Sequence, residues 1–248
     1  MTKTLLRYPG GKSRAIKILN EYLPEGIDVI CSPFFGGGSF ELSLMEKGVK
    51  VFGYDIFTPL VEFWQMAIEQ PTKLAEEVQK YHPLSKEKFY ELQKEQFVLK
   101  TKLERAAVFY VINRASFSGS TLSGGMSPGH PRFNGNSITR LKEFQAHDMS
   151  VESLDFKYSI EKHKNDFLYL DPPYYIENHL YGKKGDAHKN FDHEGLAKIL
   201  KKRRKWMLSY NNCDHIKELY KGYEFVYPSW SYGMSNDKES KEILILNY

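Results

Sequence analysis

Residues 27–55 read IDVICSPFFGGGSFELSLMEKGVKVFGYD, and the order of textures in this stretch decides the fold class. Ile27 to Ile30 is a short apolar run of strand length, Gly36-Gly37-Gly38 follows, and Phe40, Leu42, Leu44 and Met45 lie on a helix that stops at Gly48. Val49 to Tyr54 is a second strand ending in Asp55. Two parallel strands need a crossover, and a helix is its usual form, so strand, glycine turn, helix and strand open a parallel α/β sheet. A second such series begins at Phe167-Leu168-Tyr169-Leu170, passes a helix around Leu196 to Leu200 and reaches a strand at Trp206-Met207-Leu208. Tyr223 to Tyr227 and Glu242 to Leu246 are the closing strand candidates. Between the two series, from Pro59 to about Phe117, the apolar residues recur at helical spacing (Leu74, Val78, Tyr81; Phe89, Leu92; Leu103, Ala106, Ala107, Tyr110) with no strand alternation. The expectation is an α/β sheet domain carrying a helical insertion.

The chain has 248 residues, which suits one large domain, or a core with an insertion, at roughly 100 to 200 residues per domain. No window approaches the roughly 18 apolar residues of a membrane span, and Met1 to Arg7 holds no signal-peptide stretch. A soluble, cytoplasmic protein is expected. Two cysteines, Cys31 and Cys213, cannot build a disulfide framework or a four-cysteine metal site. Lys and Arg number 35 against 31 Asp and Glu, a net +4, so a polyanionic partner must be argued from where the charge lies rather than from its total. From Asn113 to Lys142 there is no acidic residue while Arg114, Arg132, Arg140 and Lys142 are basic, and Gly, Ser, Asn and Pro dominate. This segment reads as flexible, cationic and rich in hydrogen-bonding groups.

The turn Phe35-Gly36-Gly37-Gly38 would let a ligand approach the backbone, and Asp55, ending the second strand, can accept hydrogen bonds from a ribose diol. A dinucleotide fingerprint would want a third glycine where Glu41 stands, so the pattern favours a nucleoside cofactor without phosphates; an ordinary strand-to-helix turn uses the same residues. Tyr8-Pro9-Gly10-Gly11-Lys12-Ser13 ends like a phosphate loop, but Leu6 replaces its first glycine and no apolar strand precedes it. A Gly-Gly turn presenting Lys12 beside Tyr8 could cover a small carboxylate, or be a solvated terminal turn.

Asp171-Pro172-Pro173-Tyr174 follows the apolar strand directly, at the carboxyl end where α/β sheets place ligands. Two prolines remove N–H donors and fix φ, which aims the Pro172 carbonyl; Asp171 adds a second acceptor and Tyr174 a flat face. Two acceptors and a face match an amino group on an aromatic ring. Such an amine is a weak nucleophile because its lone pair is delocalised, so a catalyst must accept its hydrogens and aim it at an electrophile.

Taken together, Tyr8-Pro9-Gly10-Gly11-Lys12, Pro33-Phe34-Phe35-Gly36-Gly37-Gly38-Ser39, Asp55, Asp155-Phe156 and Asp171-Pro172-Pro173-Tyr174 occur in the order seen in the Dam-like (class alpha, D12) adenine-N6 DNA methyltransferases, which the chain resembles over nearly its whole length. The resemblance implies a Rossmann-like, mostly parallel sheet of seven strands binding S-adenosyl-L-methionine, formed by residues 1–56 and 148–248, with target recognition in the helical insertion 57–147. It places Tyr8, Gly10, Gly11 and Lys12 at the cofactor's methionine end, Phe35, Gly36 and Gly38 beneath it, Asp55 at its ribose, and Asp155 and Phe156 at its adenine. Asp171 would border the methionine moiety and bind the target amine. Two stretches depart from the pattern. Ser32 stands where many relatives carry an acid, and Phe117 to Gly125 replaces an Asn-Gly-Leu-aromatic-Arg stretch, so the GATC target is not carried over.

A paired base hides its amine, so the adenine must swing out of the double-stranded DNA, with Tyr174 the stacking candidate. Arg114, Ser118, Arg132, Asn134 and Arg140 are candidate DNA contacts in the acid-free segment, and Lys183 and Lys184, with Tyr181 and Lys189, could close a loop over the flipped nucleotide. Lys201 to Lys205 reads as a solvated helix end. Cysteine-dependent C5 chemistry has no Pro-Cys pair to use, and His188, Asp192, His193 and Glu194 read as helix-capping surface residues rather than metal ligands. Cytosine-N4 transfer and a catalytically silent DNA-binding module remain the alternatives, and RNA is a second substrate class. A monomer or weak dimer is expected, in a prokaryote, phage or virus, with a restriction endonuclease as a functional partner where one exists.

Overall fold

The computed structural model describes residues 3–99, 101–127, 132–175, 191–229 and 242–248. Its centre is a seven-stranded sheet of β1 (Val29–Ser32), β2 (Lys50–Asp55), β3 (Met149–Ser153), β4 (Phe167–Leu170), β5 (Trp206–Asn211), β6 (Glu224–Val226) and β7 (Glu242–Asn247), in the order β3-β2-β1-β4-β5-β7-β6. The first five strands are mutually parallel, and β7 runs antiparallel between β5 and β6. The methyltransferase-type α/β expectation is met. The central strands carry almost no polar residues because both faces are covered: β4 is buried at all four positions. β3 escaped the sequence reading because Met149 and Val151 alone face the core, and its neighbours Glu152 and Ser153 are exposed.

Strand order reverses between β1 and β4, and at such a switch point the crossover helices leave to opposite faces and open a crevice at the strands' carboxyl ends. Ser32 and Asp171 flank that crevice, one at the end of β1 and the other just past β4.

The insertion is helical: α3 (Thr58–Glu69), α4 (Pro71–Gln79), α5 (Lys86–Glu95), α6 (Lys102–Ala115) and α7 (Gly135–Lys142), with α1 (Ile16–Glu21) and α2 (Ser39–Met45) before it. Local chemistry sets their starts. Pro71 begins α4, where a missing N–H costs nothing, and Thr101 and Glu104 cap α6 reciprocally. Yet α3 and α6 share one apolar cluster with the sheet, in which Phe63 stacks on Tyr110 at 5.4 Å and Trp64 meets Phe35 edge-on at 5.4 Å. Trp64 also donates its indole N–H to the Gly36 carbonyl at 3.0 Å, so an insertion helix steadies the glycine turn. A second cluster on the other face joins α8 (Phe156–Lys162), α9 (His193–Leu200) and α10 (Asp214–Leu219) to the sheet. Among the described residues no helix is long and apolar enough to cross a membrane.

Three sequence expectations need correction. His193, read as a helix-capping surface residue, is 6% exposed with its ring hydrogen-bonded to Tyr210, and Asp192 alone caps the helix. The segment from Asn113 to Lys142 is not uniformly flexible: Asn113, on α6, is 1% exposed and exchanges two hydrogen bonds with the Arg7 backbone, at 2.9 and 2.8 Å, and α7 occupies the segment's end. Gly119 comes so close to this N-terminal run that a Cβ there would lie 2.1 Å from the Arg7 carbonyl oxygen, a contact only glycine permits. Arg203, read as part of a solvated helix end, instead binds the carbonyls of Ile160 and Asp166 at 2.8 and 2.7 Å, and that of His163. A guanidinium with five donors can satisfy a frayed helix end in this way, whereas its exposed neighbours Lys201, Lys202 and Arg204 match the solvated reading.

Candidate active site

Three segments distant in sequence meet at the crevice. The first is the N-terminal run, which joins no strand and is held by the Asn113 amide; after it the chain turns through Tyr8 and Gly11, whose N–H bonds the Tyr8 carbonyl at 3.0 Å. Ser13 and Ser39 share a hydrogen bond at 3.0 Å, which docks this turn on the start of α2. The Tyr8 ring lies against the glycine turn so closely that a Cβ on Gly36 would sit 2.8 Å from it, and Gly36 has φ of +48°. Gly10, Gly11 and Lys12 follow, and Lys12 ends up 4% exposed inside the protein.

The second segment is Asp171 to Tyr174. Lys12 Nζ lies 2.9 Å from Asp171 Oδ1, 2.8 Å from Oδ2 and 2.9 Å from the Tyr174 hydroxyl. At 5.2 Å from the ring centroid the ammonium sits off the hydroxyl end of Tyr174 rather than over its face, so it acts as a hydrogen-bond donor and not a cation–π partner. Pro172 is buried and Pro173 half-buried, and the loop beyond is clamped by Asn211 at the end of β5, whose amide trades bonds with the Tyr175 backbone at 3.0 and 2.9 Å.

The third segment is the start of β7. Glu242, 4% exposed, lies 3.4 Å from Lys12 and accepts a 2.9 Å bond from the Ser209 hydroxyl of β5. Burial works against the Lys12 charge, but Asp171 and Glu242 together outweigh it and hold its pKa above the ordinary lysine range. The Glu242 carboxyl is pushed up, mainly by burial and further by Asp171, against the pull of Lys12. Sequence reasoning missed both Glu242 and Asn211, because a polar residue at a strand end is the commonest kind of surface residue.

On the other side of the crevice, Asp55 accepts N–H bonds from Gly36 at 3.1 Å and Phe57 at 2.9 Å, one on each oxygen. Each oxygen keeps a lone pair for a further donor. The cavity beginning at Ile56 and Phe57 also includes Gln96, a buried side chain whose amide has no hydrogen-bond partner. A carboxylate at the end of β2 with a spare lone pair on each oxygen fits the two hydroxyls of a ribose. Asp155 and Phe156 lie past the end of β3, next to β2: Leu154 N–H bonds the Asp55 carbonyl, Asp155 caps α8, and Phe156 packs on Phe34 and Phe191.

Ser32, where an acid was missing, is supplied with one from the next helix. Its hydroxyl donates to Glu41 at 2.7 Å, and the two side chains are 0% and 3% exposed. Burial pushes the Glu41 carboxyl up to about 7, with Asp171 adding to the effect and Ser32 and Lys12 opposing it. The folded protein thus holds a proton that the unfolded chain releases near about 4.3, so this group's contribution to stability is intact below that pH and declines as the pH rises toward 7. Glu41→Gln, which cannot ionise, should therefore gain melting temperature relative to the parent between about pH 5 and about pH 8. An offset that is the same at both pH values would contradict this.

The candidate DNA contacts divide. Arg114 donates to the Arg132 carbonyl at 3.1 and 3.0 Å and to the Leu5 carbonyl at 3.4 Å, while Arg140 reaches the Lys3 and Thr4 carbonyls at 3.2 Å each. Burial, then the positive charges of Arg140, Arg7 and Arg132, hold the Arg114 guanidinium below its ordinary pKa. Arg7 thus joins a group of four mutually repelling arginines that the sequence reading counted as three. Ser118 sits in a tight turn at φ +53° beside Phe117, which is 63% exposed. Asn134 accepts the Ser137 N–H as the cap of α7, a structural duty for a side chain read as a DNA contact. Lys183 and Lys184 lie outside the described residues.

Residues 8–234 match the model of the D12 class N6 adenine-specific DNA methyltransferases. The chain is also similar to the Type II methyltransferase M.CviBI of Paramecium bursaria Chlorella virus NC1A, 21% identical over 231 residues covering 89% of this chain and 87% of that protein. These matches decide between the two amino-bearing bases in favour of adenine. With the switch-point crevice, the glycine turn and the Asp-Pro-Pro-Tyr loop all inside the matched span, the chain belongs to the D12 class of N6 adenine-specific DNA methyltransferases, enzymes that methylate DNA.

Proposed function

We propose that the protein transfers a methyl group from S-adenosyl-L-methionine directly to N6 of an adenine turned out of duplex DNA, with no covalent enzyme intermediate. The observation that carries this reading is the meeting of Asp171 with Lys12 and Tyr174 at the switch-point crevice, a carboxylate acceptor and an aromatic ring side by side. When bound, the cofactor supplies an electrophilic methyl group. Asp55 holds its ribose hydroxyls, Asp155 and Phe156 its base, and Tyr8, Gly10, Gly11 and Lys12 border its amino-acid end over Phe35, Gly36 and Gly38. Asp171 and the Pro172 carbonyl, aimed by Pro173, accept the two amine hydrogens, which turns the nitrogen lone pair out of conjugation and toward the methyl group. Tyr174 stacks on the extruded base, whose unpairing costs a few kcal/mol.

The insertion 57–147 recognises the target, and its Arg114, Arg132 and Arg140, joined by Arg7 from the N-terminal run, hold phosphates with no acid in the segment from Asn113 to Lys142 to compete. Ser118 and the exposed Phe117 beside it are the groups best placed on that face to meet bases. Lys183 and Lys184 extend the phosphate contacts. The protein works as a monomer or weak dimer in the cytoplasm, and the Type II designation of its viral relative supports pairing with a restriction endonuclease, testable as a nuclease of matching site encoded nearby.

The test is mass spectrometry of nucleosides from unmethylated plasmid DNA incubated with the protein and S-adenosyl-L-methionine. N6-methyladenine is the expected product; N4-methylcytosine, or no methylated base, would overturn the reading. A second measurement checks the cofactor side. Asp55→Asn keeps the shape but weakens acceptance of the ribose hydroxyls, and should reduce affinity for S-adenosylhomocysteine about 10- to 100-fold by calorimetry. Unchanged affinity would remove Asp55 from the site.

A further inference from the structure

Lys12 faces two carboxylates, not one: Asp171, partly exposed at the crevice, and the buried Glu242. Asp171 engages it with both oxygens, at 2.9 and 2.8 Å, whereas Glu242 stands off at 3.4 Å. Glu242 opens a strand whose next four residues, Ile243, Leu244, Ile245 and Leu246, are all buried, and its other oxygen is fixed by Ser209. A second carboxylate in such a place carries a desolvation penalty, and one ammonium cannot neutralise both. Packing alone therefore gives no reason for it.

The proposed reaction, on which this inference rests, supplies one. Asp171 must offer an oxygen to the adenine amine, but Lys12 draws on both of its oxygens and weakens each as an acceptor. We infer that Glu242 is a positioning residue that takes Lys12 from Asp171 as the target amine enters. Closing the 3.4 Å gap to an ordinary charge-assisted bond of about 2.8 Å is a sub-ångström movement of a lysine tip, and Ser209 keeps the receiving carboxylate in place. The cluster stays paired throughout, and its surplus negative charge opposes the positive charge that grows on the amine as it is methylated. Glu242 is faced by Lys12 from the N-terminal turn, Asp171 and Tyr174 from the loop after β4, Tyr169 from β4 itself and Ser209 from β5. Protonating Glu242 sends Lys12 back to Asp171, so turnover falls on the acid side through this carboxyl.

The experiment compares the full-length parent with Glu242→Gln and Glu242→Asp, measuring kcat and both KM values for N6-methyladenine formation across pH, together with S-adenosylhomocysteine affinity. Glu242→Gln should lose about 10- to 100-fold in kcat with KM values and affinity within about threefold, and should lack the acidic limb; Glu242→Asp should recover part of the rate. A parental kcat and pH profile in Glu242→Gln would overturn the inference, as would a rate loss matched by an equal loss of affinity with no recovery in Glu242→Asp. If Glu242→Gln does not fold, Ser209→Ala frees the same carboxylate: a displaced acidic limb supports the inference and an unmoved one overturns it. An inactive parent would instead refute the methyltransferase chemistry itself, so the two failures are distinct.

Discussion

Asp171→Asn is expected to cut N6-methyladenine formation by about 1,000-fold while the protein stays folded, the upper range for removing one electrostatic contact to a transition state. The substitution is nearly isosteric, so Pro172, Pro173 and the Asn211 clamp on Tyr175 keep their places. What changes is the charge and one acceptor: the amide must turn either its oxygen or its NH2 toward the incoming amine, and the remaining donor faces a donor. Lys12 keeps Glu242 and Tyr174 as partners, which is why the fold survives. Single-turnover kinetics should show the loss in the chemical step, with S-adenosylhomocysteine affinity falling far less. A variant within tenfold of the parent would mean that Asp171 is not the amine acceptor.

Lys12→Met is expected to be the most destabilising conservative-volume change in the crevice, at about 3 to 5 kcal/mol, because it leaves Asp171 and Glu242 facing each other without their cation. In a chain of this size that is a fall of roughly 10 °C in melting temperature. The loss has a pH signature. Without the pull of Lys12 the buried Glu242 carboxyl, already raised, binds its proton still more tightly folded than unfolded. Its contribution to stability is retained below its unfolded pKa and declines as the pH rises through the elevated folded value. The deficit against the parent should accordingly be smaller near about pH 5 than near about pH 8. Adding Glu242→Gln should return part of the stability, since neighbours that share a charge do not act additively. A pH-independent deficit, or a double variant worse than the sum of the two single ones, would show that Lys12 is held by packing and not by this pair of acids.

Legibility in the sequence follows the range of the interaction. β1, β2, β4 and β5 were readable because strands covered on both faces must be apolar throughout, and the glycine turn was readable because Gly36 and Gly38 adopt positive φ. Asp171-Pro172-Pro173-Tyr174 was readable because a rigid, donor-free turn at a strand end is a local property. Asn134 shows the opposite case: Asn-Gly-Asn-Ser is equally a polar loop and a helix cap, and only the Ser137 N–H in front of its side chain gives it the capping duty that the sequence did not show. Arg203 was misread because a run of five bases looks solvated until the end of α8 is brought beneath one of them.

By itself, then, the sequence determined the class of sheet, the order of its motifs and the residue types that line the switch-point crevice, all of which follow from side-chain periodicity and backbone restriction within a few residues. The tertiary structure alone decided which charges meet. Lys12 and Asp171 are 159 positions apart, Lys12 and Glu242 230 apart, and their encounter depends on β4, β5 and β7 being neighbours in the sheet. Strand order is set by how a whole apolar surface is buried, and no local spacing encodes it. The same holds for Glu41: a helix residue that looked like a poor ligand neighbour becomes the acid behind Ser32 once α2 folds back over β1.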